Sequence, residues 1–237
     1  IKDRIKEKQN EKSEGMERVV LTRLHLSASA LKYLALLAMT ADHIAVICRP
    51  VPGFRTFGDL AFPLFAFLLV EGFFHTRDRR CYGRRLLLAA VVSEIPYDLA
   101  IRGKIWDFSS QNAMITMCIC LIMLKCLDLF KETSGFTGGM LKVLILIAAI
   151  VWVSIFRAEY GLCMVLLVFV FYVFESKNVL KTVLGCIISL MYVTGPIAFY
   201  GIWCYTGERK NRINKYVYYA FYPLHLLVLG VIANYIL

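Results

Sequence analysis

The chain has 237 residues, of which 59% are hydrophobic and 19% are charged. Soluble domains contain about 45–50% apolar and about 25% charged residues, and their polar residues must cover the outer surface. This composition argues against disorder, fibrous repeats and a water-soluble enzyme. It predicts an all-α, polytopic integral membrane protein.

The net charge of +10 lies mainly outside the apolar segments. Basic residues in short loops between such segments are explained by the positive-inside rule and by anionic lipid headgroups. We therefore expect membrane lipids, and not nucleic acid, as partners. The eight cysteines have neither metal-ligand spacing nor a disulfide framework and are interpreted as small core residues.

Residues 1–26 are polar and charged, and we predict a cytoplasmic tail there, followed by a single transmembrane domain over residues 27–237. A membrane-spanning helix needs about 20 residues. On this basis we predict about eight transmembrane helices, at residues 27–48, 60–74, 85–101, 112–130, 139–156, 161–175, 180–205 and 217–237. The segment at 60–74 is short and is expected to extend at both ends.

Lys and Arg are concentrated in the tail and in the loop at 75–85, which predicts a cytoplasmic N-terminus. Eight helices would place the basic segment at 209–215 on the outer side, against this rule. The long segment at 180–205 contains Gly195-Pro196, and dividing it there gives about nine helices and returns the basic segment to the inside. Both counts stay open, and eight is the working prediction.

The first predicted helix contains Asp42 and His43 near its outer end. Ionisable side chains within membrane spans are costly and are treated as functional-site hypotheses. A neutral imidazole can accept a proton from an attacking amine or hydroxyl, so we predict His43 as a general base that Asp42 orients or keeps basic. The alternative is a buried polar pair that bonds to a neighbouring helix.

The second predicted helix carries Pro63, Phe67, Glu71 and His75 at intervals of four residues, which predicts that they share one face. A Glu71–His75 pair at the cytoplasmic end is the structural alternative. Several arginines follow and would suit a ligand with several phosphates: Arg77, Arg79, Arg80, Arg84 and Arg85. Inside loops are basic in any case, so charge alone does not identify such a ligand.

The third predicted helix carries Glu94 and Asp98 on either side of Pro96, which is predicted to kink it. The two carboxyl groups indicate either the wall of a polar cavity or a structural network. Asn112 begins the fourth helix on the outer side, within expected reach of His43. His225 in the last helix is predicted to face protein or a cavity. No two histidines have the spacing of metal ligands on a helix, so we predict no metal site.

The polar segments of the chain together resemble the TraX family, which is known for acetylating the N-terminus of F-type conjugative pilin. The resemblance is dense over residues 30–112, recurs at 205–230 and is thin between them. The matching blocks are LKY at 31–33, MTADH at 39–43, GDLAFPLFAFLLVEGF at 58–73, HTR at 75–77, RRL at 84–86, SEIPYD at 93–98 and FYPLHL at 221–226.

The TraX family is in turn similar to a wider group of transmembrane acyltransferases, which includes the membrane acyltransferase-3 enzymes and the lysosomal heparan-glucosaminide acetyltransferase. This resemblance implies transfer of an acetyl group from cytosolic acetyl-CoA to a pilin N-terminus or an envelope glycan, across the bacterial cytoplasmic membrane. It implies that His43 is the membrane-embedded histidine, that Phe62 and Pro63 line the CoA channel, and that the arginines bind the CoA phosphates. One departure is Asp59, where the family pattern has Arg after Gly58.

Two other functions stay open. Glu71, Glu94, Asp98 and His43 could form the relay of a proton-coupled small-solute transporter, although the chain shows no internal repeat of the kind that such transporters often have. The chain could also be a non-catalytic membrane subunit of a pilus or envelope system. For the acyltransferase, direct attack on the thioester and an acyl-histidine intermediate are both open.

Overall fold

The computed structural model describes residues 25–47, 53–208 and 215–235. Within these ranges the protein is all-α, with two isolated backbone bridges and no strand, which confirms the predicted fold class. Most of the predicted tail at 1–26 and most of the basic segment at 209–215 lie outside the described residues.

The described chain forms ten α-helices and one short 3₁₀-helix. They are α1 (Ala28–Ile47), α2 (Phe54–Gly58), α3 (Ala61–His75), α4 (Arg79–Arg102), α5 (Ala113–Leu129), α6 (Gly135–Ile155), α7 (Gly161–Val173), α8 (Asn178–Ser189), the 3₁₀-helix (Gly195–Ile197), α9 (Ala198–Trp203) and α10 (Lys215–Tyr235).

Four segments within the described ranges are long and apolar enough to cross a membrane: Ala28–Ile47, Phe54–His75, Gly135–Ile155 and Tyr216–Tyr235. The second of them joins α2 to α3, so the short segment predicted at 60–74 is extended towards its N-terminus. Many large apolar side chains on the outside of the bundle are exposed, among them Leu144, Val151 and Ile155 on α6. Such a surface is typical of a helical membrane protein. The total of eight or nine crossings stays a prediction.

The bundle has two ends. The arginine end contains the start of α4, where Arg79 forms an ion pair with Asp128 at the close of α5. The histidine end contains His43 and the start of α5, where Asn112 donates a hydrogen bond to the carbonyl of Ala90 at 2.9 Å. Helices α4 and α5 are therefore antiparallel, and α1, α4 and α10 all run from the arginine end to the histidine end.

The segment predicted at 180–205 is a hairpin of two short arms, α8 and α9. Gly195 lies against Ser189, and Gly185 lies against the ring of Phe199, so the chain reverses between the arms. The turn reaches the histidine end, where the ring centroid of Tyr192 is 4.5 Å from that of Phe62. The interruption expected around Gly195-Pro196 is present, and the second arm returns the chain to the arginine end as the nine-helix alternative requires.

Helix α3 lies at the centre of the core. Its Phe62, Phe73 and Leu64 are buried and belong to a large apolar cluster with α5, α7 and α9. A smaller cluster at the histidine end includes Met39, Tyr222 and Leu226. All seven described cysteines are free, and they are buried or half-buried, in agreement with their interpretation as small core residues.

Candidate functional site

The centre of the site is a pair of histidines from the first and last described helices. Nδ1 of His43 on α1 is 2.8 Å from Nε2 of His225 on α10. Nδ1 of His225 is 2.9 Å from the carbonyl oxygen of Phe221, one turn earlier on the same helix. His43 is only 3% exposed. Two residues 182 positions apart in sequence therefore form one hydrogen-bonded unit.

The hydrogen-bond partners determine which nitrogens carry protons when both rings are neutral. The carbonyl of Phe221 can only accept, so Nδ1 of His225 is the N–H donor and its Nε2 is an acceptor. Nδ1 of His43 must then donate to that acceptor. This leaves Nε2 of His43 with a free lone pair, which is the state that a general base requires.

No hydrogen bond joins Asp42 to His43 in the described structure, so the geometry does not support the predicted orienting role of Asp42. Its effect on the basicity of His43 stays a prediction. Neighbouring residues on a helix point about 100° apart. The Tyr160 hydroxyl donates to Oδ2 of Asp42 at 3.0 Å, and Nε of the exposed Arg55 lies 3.5 Å from Oδ1. His225 holds the orienting position in place of Asp42.

Gly58 allows α2 to pack against α1 at this point. A Cβ atom at position 58 would lie 2.5 Å from Cβ and 2.8 Å from Cα of Asp42, closer than any real side chain can approach. The neighbouring Asp59 accepts a hydrogen bond from the hydroxyl of Thr194 at 3.5 Å. Arg55, one turn before Asp59, brings a positive charge to Asp42 in this region.

His43 lines a small inner chamber of about 60 Å³ at the histidine end. Phe62 forms part of its wall and stacks on Tyr160, with ring centroids 5.6 Å apart. The chamber is predominantly apolar, and its few polar groups include Glu159 and Tyr222. Since a water molecule needs about 10–15 Å³ in this measure, the chamber can hold a group of acetyl size.

A second, outer chamber of about 310 Å³ lies on the side of the inner chamber that faces the arginine end. Both chambers are lined by the same five side chains: Leu36, Phe65, Met114, Met117 and Tyr218. Lys32 and Arg85 line the outer chamber. The two chambers are therefore adjacent, and we refer to them together as the passage, which has basic residues at one end and His43 at the other.

A sequence profile of the family described as TraX protein matches residues 27–233. The chain belongs to the TraX family. A stretch of 113 residues is 32% identical to the "Probable fimbrial assembly protein FimC, serogroup H1" of Dichelobacter nodosus. That match covers 43% of this chain and 46% of the relative, so the chain spans less than half of the relative's length. No solved structure matches the chain.

The five arginines predicted to bind the CoA phosphates in this TraX-family protein have different surroundings. Arg85 lines the outer chamber, and its buried Nε has no hydrogen-bond partner. Arg79 forms an ion pair with Asp128. Its guanidinium carbon Cζ also lies 4.1 Å from the ring centroid of Phe73. The remaining three arginines are exposed at the same end and line neither chamber: Arg77, Arg80 and Arg84.

Glu71, His75 and Pro63 lie away from both chambers. Glu71 accepts a hydrogen bond from the Tyr205 hydroxyl at 3.1 Å and lies 3.4 Å from Nδ1 of His75. Pro63 is buried in the first turn of α3. The residues at four-residue intervals do share one face of α3, because the segment is helical. That face packs on α7 and on Tyr205 after α9, as the contacts of Phe67 show. The neighbouring face of α3 lines the outer chamber.

Glu94 and Asp98, for which the sequence left a structural network open as an alternative to a cavity wall, both accept hydrogen bonds within the protein, Glu94 from Asn112 and Asp98 from Asp107. Asn112 caps α5 by accepting from the backbone of Met114 at 2.9 Å, and its amide donates to Glu94. Asp98 accepts from the backbone of Asp107 at 2.8 Å. None of Glu94, Asp98 and Asn112 lines either chamber, so the structure does not bring them to His43. Helix α4 continues through Pro96.

Glu159 was not predicted as a site residue. It lies in the short loop between α6 and α7 and lines the inner chamber. Burial, and after it the negative charge of Asp42, raises the pKa of Glu159 to about 7. The only sequence signal was a carboxylate between two apolar helices, which is ordinarily a solvated loop residue. Among the described residues, no cluster of His, Cys, Asp and Glu could hold a metal ion.

Proposed function

We propose that this TraX-family protein is a membrane-embedded acyltransferase that moves an acetyl group from cytosolic acetyl-CoA to an amine or hydroxyl at the outer face. The observation that supports this most strongly is the histidine pair at the inner end of a passage whose other end is basic. His43 supplies the base, His225 fixes its tautomer, and the passage separates a charged entrance from a small apolar reaction chamber.

The groups along the passage fit acetyl-CoA as a co-substrate. Lys32 and Arg85 offer positive charge to phosphates, and the unpartnered Nε of Arg85 is a free donor for a phosphate oxygen. The apolar walls between the two chambers suit the uncharged arm of the molecule. Phe62 and Tyr160 would then enclose the thioester beside His43.

In the proposed reaction, one proton moves from the acceptor to His43 and then from His43 to the departing sulfur. Nε2 of His43 takes the proton from the acceptor nitrogen or oxygen as this atom forms a bond to the carbonyl carbon. The carbon–sulfur bond then breaks, and His43 returns the proton to the departing sulfur. Burial of His43 in an apolar chamber keeps water away from the thioester, which limits hydrolysis.

We propose a cytoplasmic N-terminus in a bacterial cytoplasmic membrane, so that the arginine end faces cytosolic acetyl-CoA and the histidine end faces the acceptor. The printed name of the Dichelobacter nodosus relative, a probable fimbrial assembly protein, favours an acceptor in a pilus or envelope system. A pilin N-terminus and an envelope glycan both fit.

That name also favours one second candidate, a non-catalytic membrane subunit of a pilus system. The transporter alternative has less support, because its proposed relay is not connected: Glu71 is bonded to Tyr205 at the arginine end, whereas Asp98 holds the loop after α4.

The test uses membranes that contain the full chain and radiolabelled acetyl-CoA. We expect label to appear on a membrane or envelope molecule with the wild type and not with His43→Ala, while CoA still raises the melting temperature of both purified proteins. His25→Ala is the matched control, because His25 is exposed, and it should behave as the wild type. Full transfer by His43→Ala would refute the assignment. A wild type that neither transfers label nor responds to CoA would favour the non-catalytic subunit.

A further inference from the structure

The inner chamber is lined by a carboxylate with an oxygen that the chain itself leaves unsatisfied. Oε2 of Glu159 is buried without a hydrogen-bond partner, and Glu159 lines the chamber. Buried polar groups are almost always hydrogen-bonded in folded proteins. An exception in the chamber that His43 also lines indicates that a bound molecule completes this contact.

The backbone around Glu159 is held firmly, so that its side chain is directed from a fixed position. Its N–H donates to the carbonyl of Gln111 at 3.0 Å, and its carbonyl accepts from the hydroxyl of Thr116 at 2.6 Å. Arg157 and Tyr160 on either side adopt left-handed φ angles of 48° and 57°, which residues other than glycine rarely adopt. The backbone is therefore strained at Arg157 and Tyr160, on either side of the carboxylate that lines the chamber.

The surroundings of Glu159 place its protonation change near neutral pH. The raised pKa described above is caused first by burial and then by the charge of Asp42, with Arg55 opposing it. The groups that face or neighbour it, besides these two, are His43 in the same chamber and four phenols: Tyr97, Tyr160, Tyr192 and Tyr222. None of these phenols ionises near pH 7 under ordinary conditions, so they do not compete with Glu159 for a proton there.

We propose that Glu159 is a second acid–base residue of the chamber, which binds the ammonium form of an amine acceptor and takes the first of the two protons that this amine must lose. The inference rests on the acyltransferase function proposed above. Its basis is a buried, unpartnered carboxylate oxygen in the same chamber as the histidine base.

The proton balance explains why two groups are needed. Glu159 takes one proton from R–NH₃⁺ and leaves R–NH₂ with a free electron pair. That pair forms the bond to the thioester carbon while His43 takes the second proton, the carbon–sulfur bond breaks, and His43 protonates the departing sulfur to give the CoA thiol. One proton remains on Glu159 and is released to solvent after the product leaves. A hydroxyl acceptor releases no net proton and needs the His43 step alone.

The test compares Glu159→Gln with the wild type in membranes supplied with radiolabelled acetyl-CoA, across pH 6 to 9. Glutamine keeps the shape and removes the base. An amine with a pKa near 8 is only about one-tenth unprotonated at pH 7, so we expect label transfer by Glu159→Gln to be about tenfold slower or more at pH 7. The loss should shrink as the pH rises towards 9, because the amine then arrives without its first proton.

Three further measurements separate this role from a structural one. Glu159→Asp should regain part of the rate, the rise in melting temperature caused by CoA should be unchanged in both variants, and the label should be stable to hydroxylamine, as an amide is. Glu132→Gln is the matched control, because Glu132 is an exposed loop carboxylate, and it should leave the rate unchanged.

The outcomes distinguish the two proposals. A Glu159→Gln variant with the wild-type rate at pH 7, a loss that is equal at all pH values, or a hydroxylamine-labile label overturns the role of Glu159 and leaves the acyltransferase in place. A wild type that transfers no label overturns both.

Discussion

The close contact between Gly58 and Asp42 gives a prediction whose size follows from the structure. In Gly58→Ala the new Cβ would lie 2.5 Å from Cβ and 2.8 Å from Cα of Asp42. These atoms are part of or next to the backbone of α1, so the strain can be relieved only if α1 and α2 move apart. Overpacking of this kind costs about 1–3 kcal/mol, which corresponds to a fall of about 2–12 °C in melting temperature for a chain of this size.

The same displacement would move His43, which follows Asp42 on α1. We therefore expect Gly58→Ala to lose acetyl transfer beyond what its lower stability explains at a temperature where it remains folded. Thermal unfolding in detergent, followed by tryptophan fluorescence, measures the first effect. Gly139→Ala is the matched control: Gly139 lies inside α6 with no atom near its missing Cβ, so alanine should stabilise this helix by about 0.5–1 kcal/mol. An unchanged melting temperature in Gly58→Ala, or an equal fall in both variants, would refute the reasoning.

Three further predictions concern the site. His225→Ala should lower kcat for acetyl transfer by about 10–100-fold, equivalent to about 1.4–2.7 kcal/mol, because His43 loses the acceptor that fixes its tautomer. His225→Gln keeps an acceptor and should lose less activity. Equal rates in the wild type and both variants would contradict the pairing. Arg85→Met should reduce the rise in melting temperature caused by CoA, whereas the same substitution at the exposed Arg77 should not. Equal responses in the two variants would contradict the assignment of Arg85 to the co-substrate site. Asn112→Ala should lower the free energy of unfolding by about 1–3 kcal/mol, since it removes a helix cap and the amide that donates to the half-buried Glu94 carboxylate. A change below about 0.5 kcal/mol would contradict a stabilising role for these hydrogen bonds.

The helices were predictable because their length and apolar composition are imposed by the bilayer. The first segment, expected at 27–48, is observed as Ala28–Ile47. The region at 180–205 was harder to predict, since an apolar sequence long enough for one helix also suits two short arms. Gly195-Pro196 indicated the interruption, but the reversal depends on the packing of Phe199 into the space beside Gly185, and such a contact has no signature in a single sequence.

The site was predictable to the extent that it depends on rare residue types. His43 and His225 stood out as ionisable groups in apolar segments, and the structure brings them together. Their pairing was not predicted, because nothing in the spacing of two distant helices indicates which faces meet. Asp42 was assigned to its sequence neighbour, although adjacent side chains on a helix diverge. Glu159 and Arg55 were missed because charged residues in loops are ordinarily solvated.

The hydrogen bond between His43 and His225 also has a consequence for the order in which the protein matures. Helix α1 leaves the ribosome first and α10 last among the described helices, so the base has no partner until synthesis of the intervening chain is complete. An inserted but unfinished chain would contain an unoriented imidazole and a passage without the walls that Tyr218, Tyr219 and Tyr222 of α10 supply. Under the proposed function, the acquisition of activity should therefore coincide with the docking of α10, and thioester cleavage would begin only after that step.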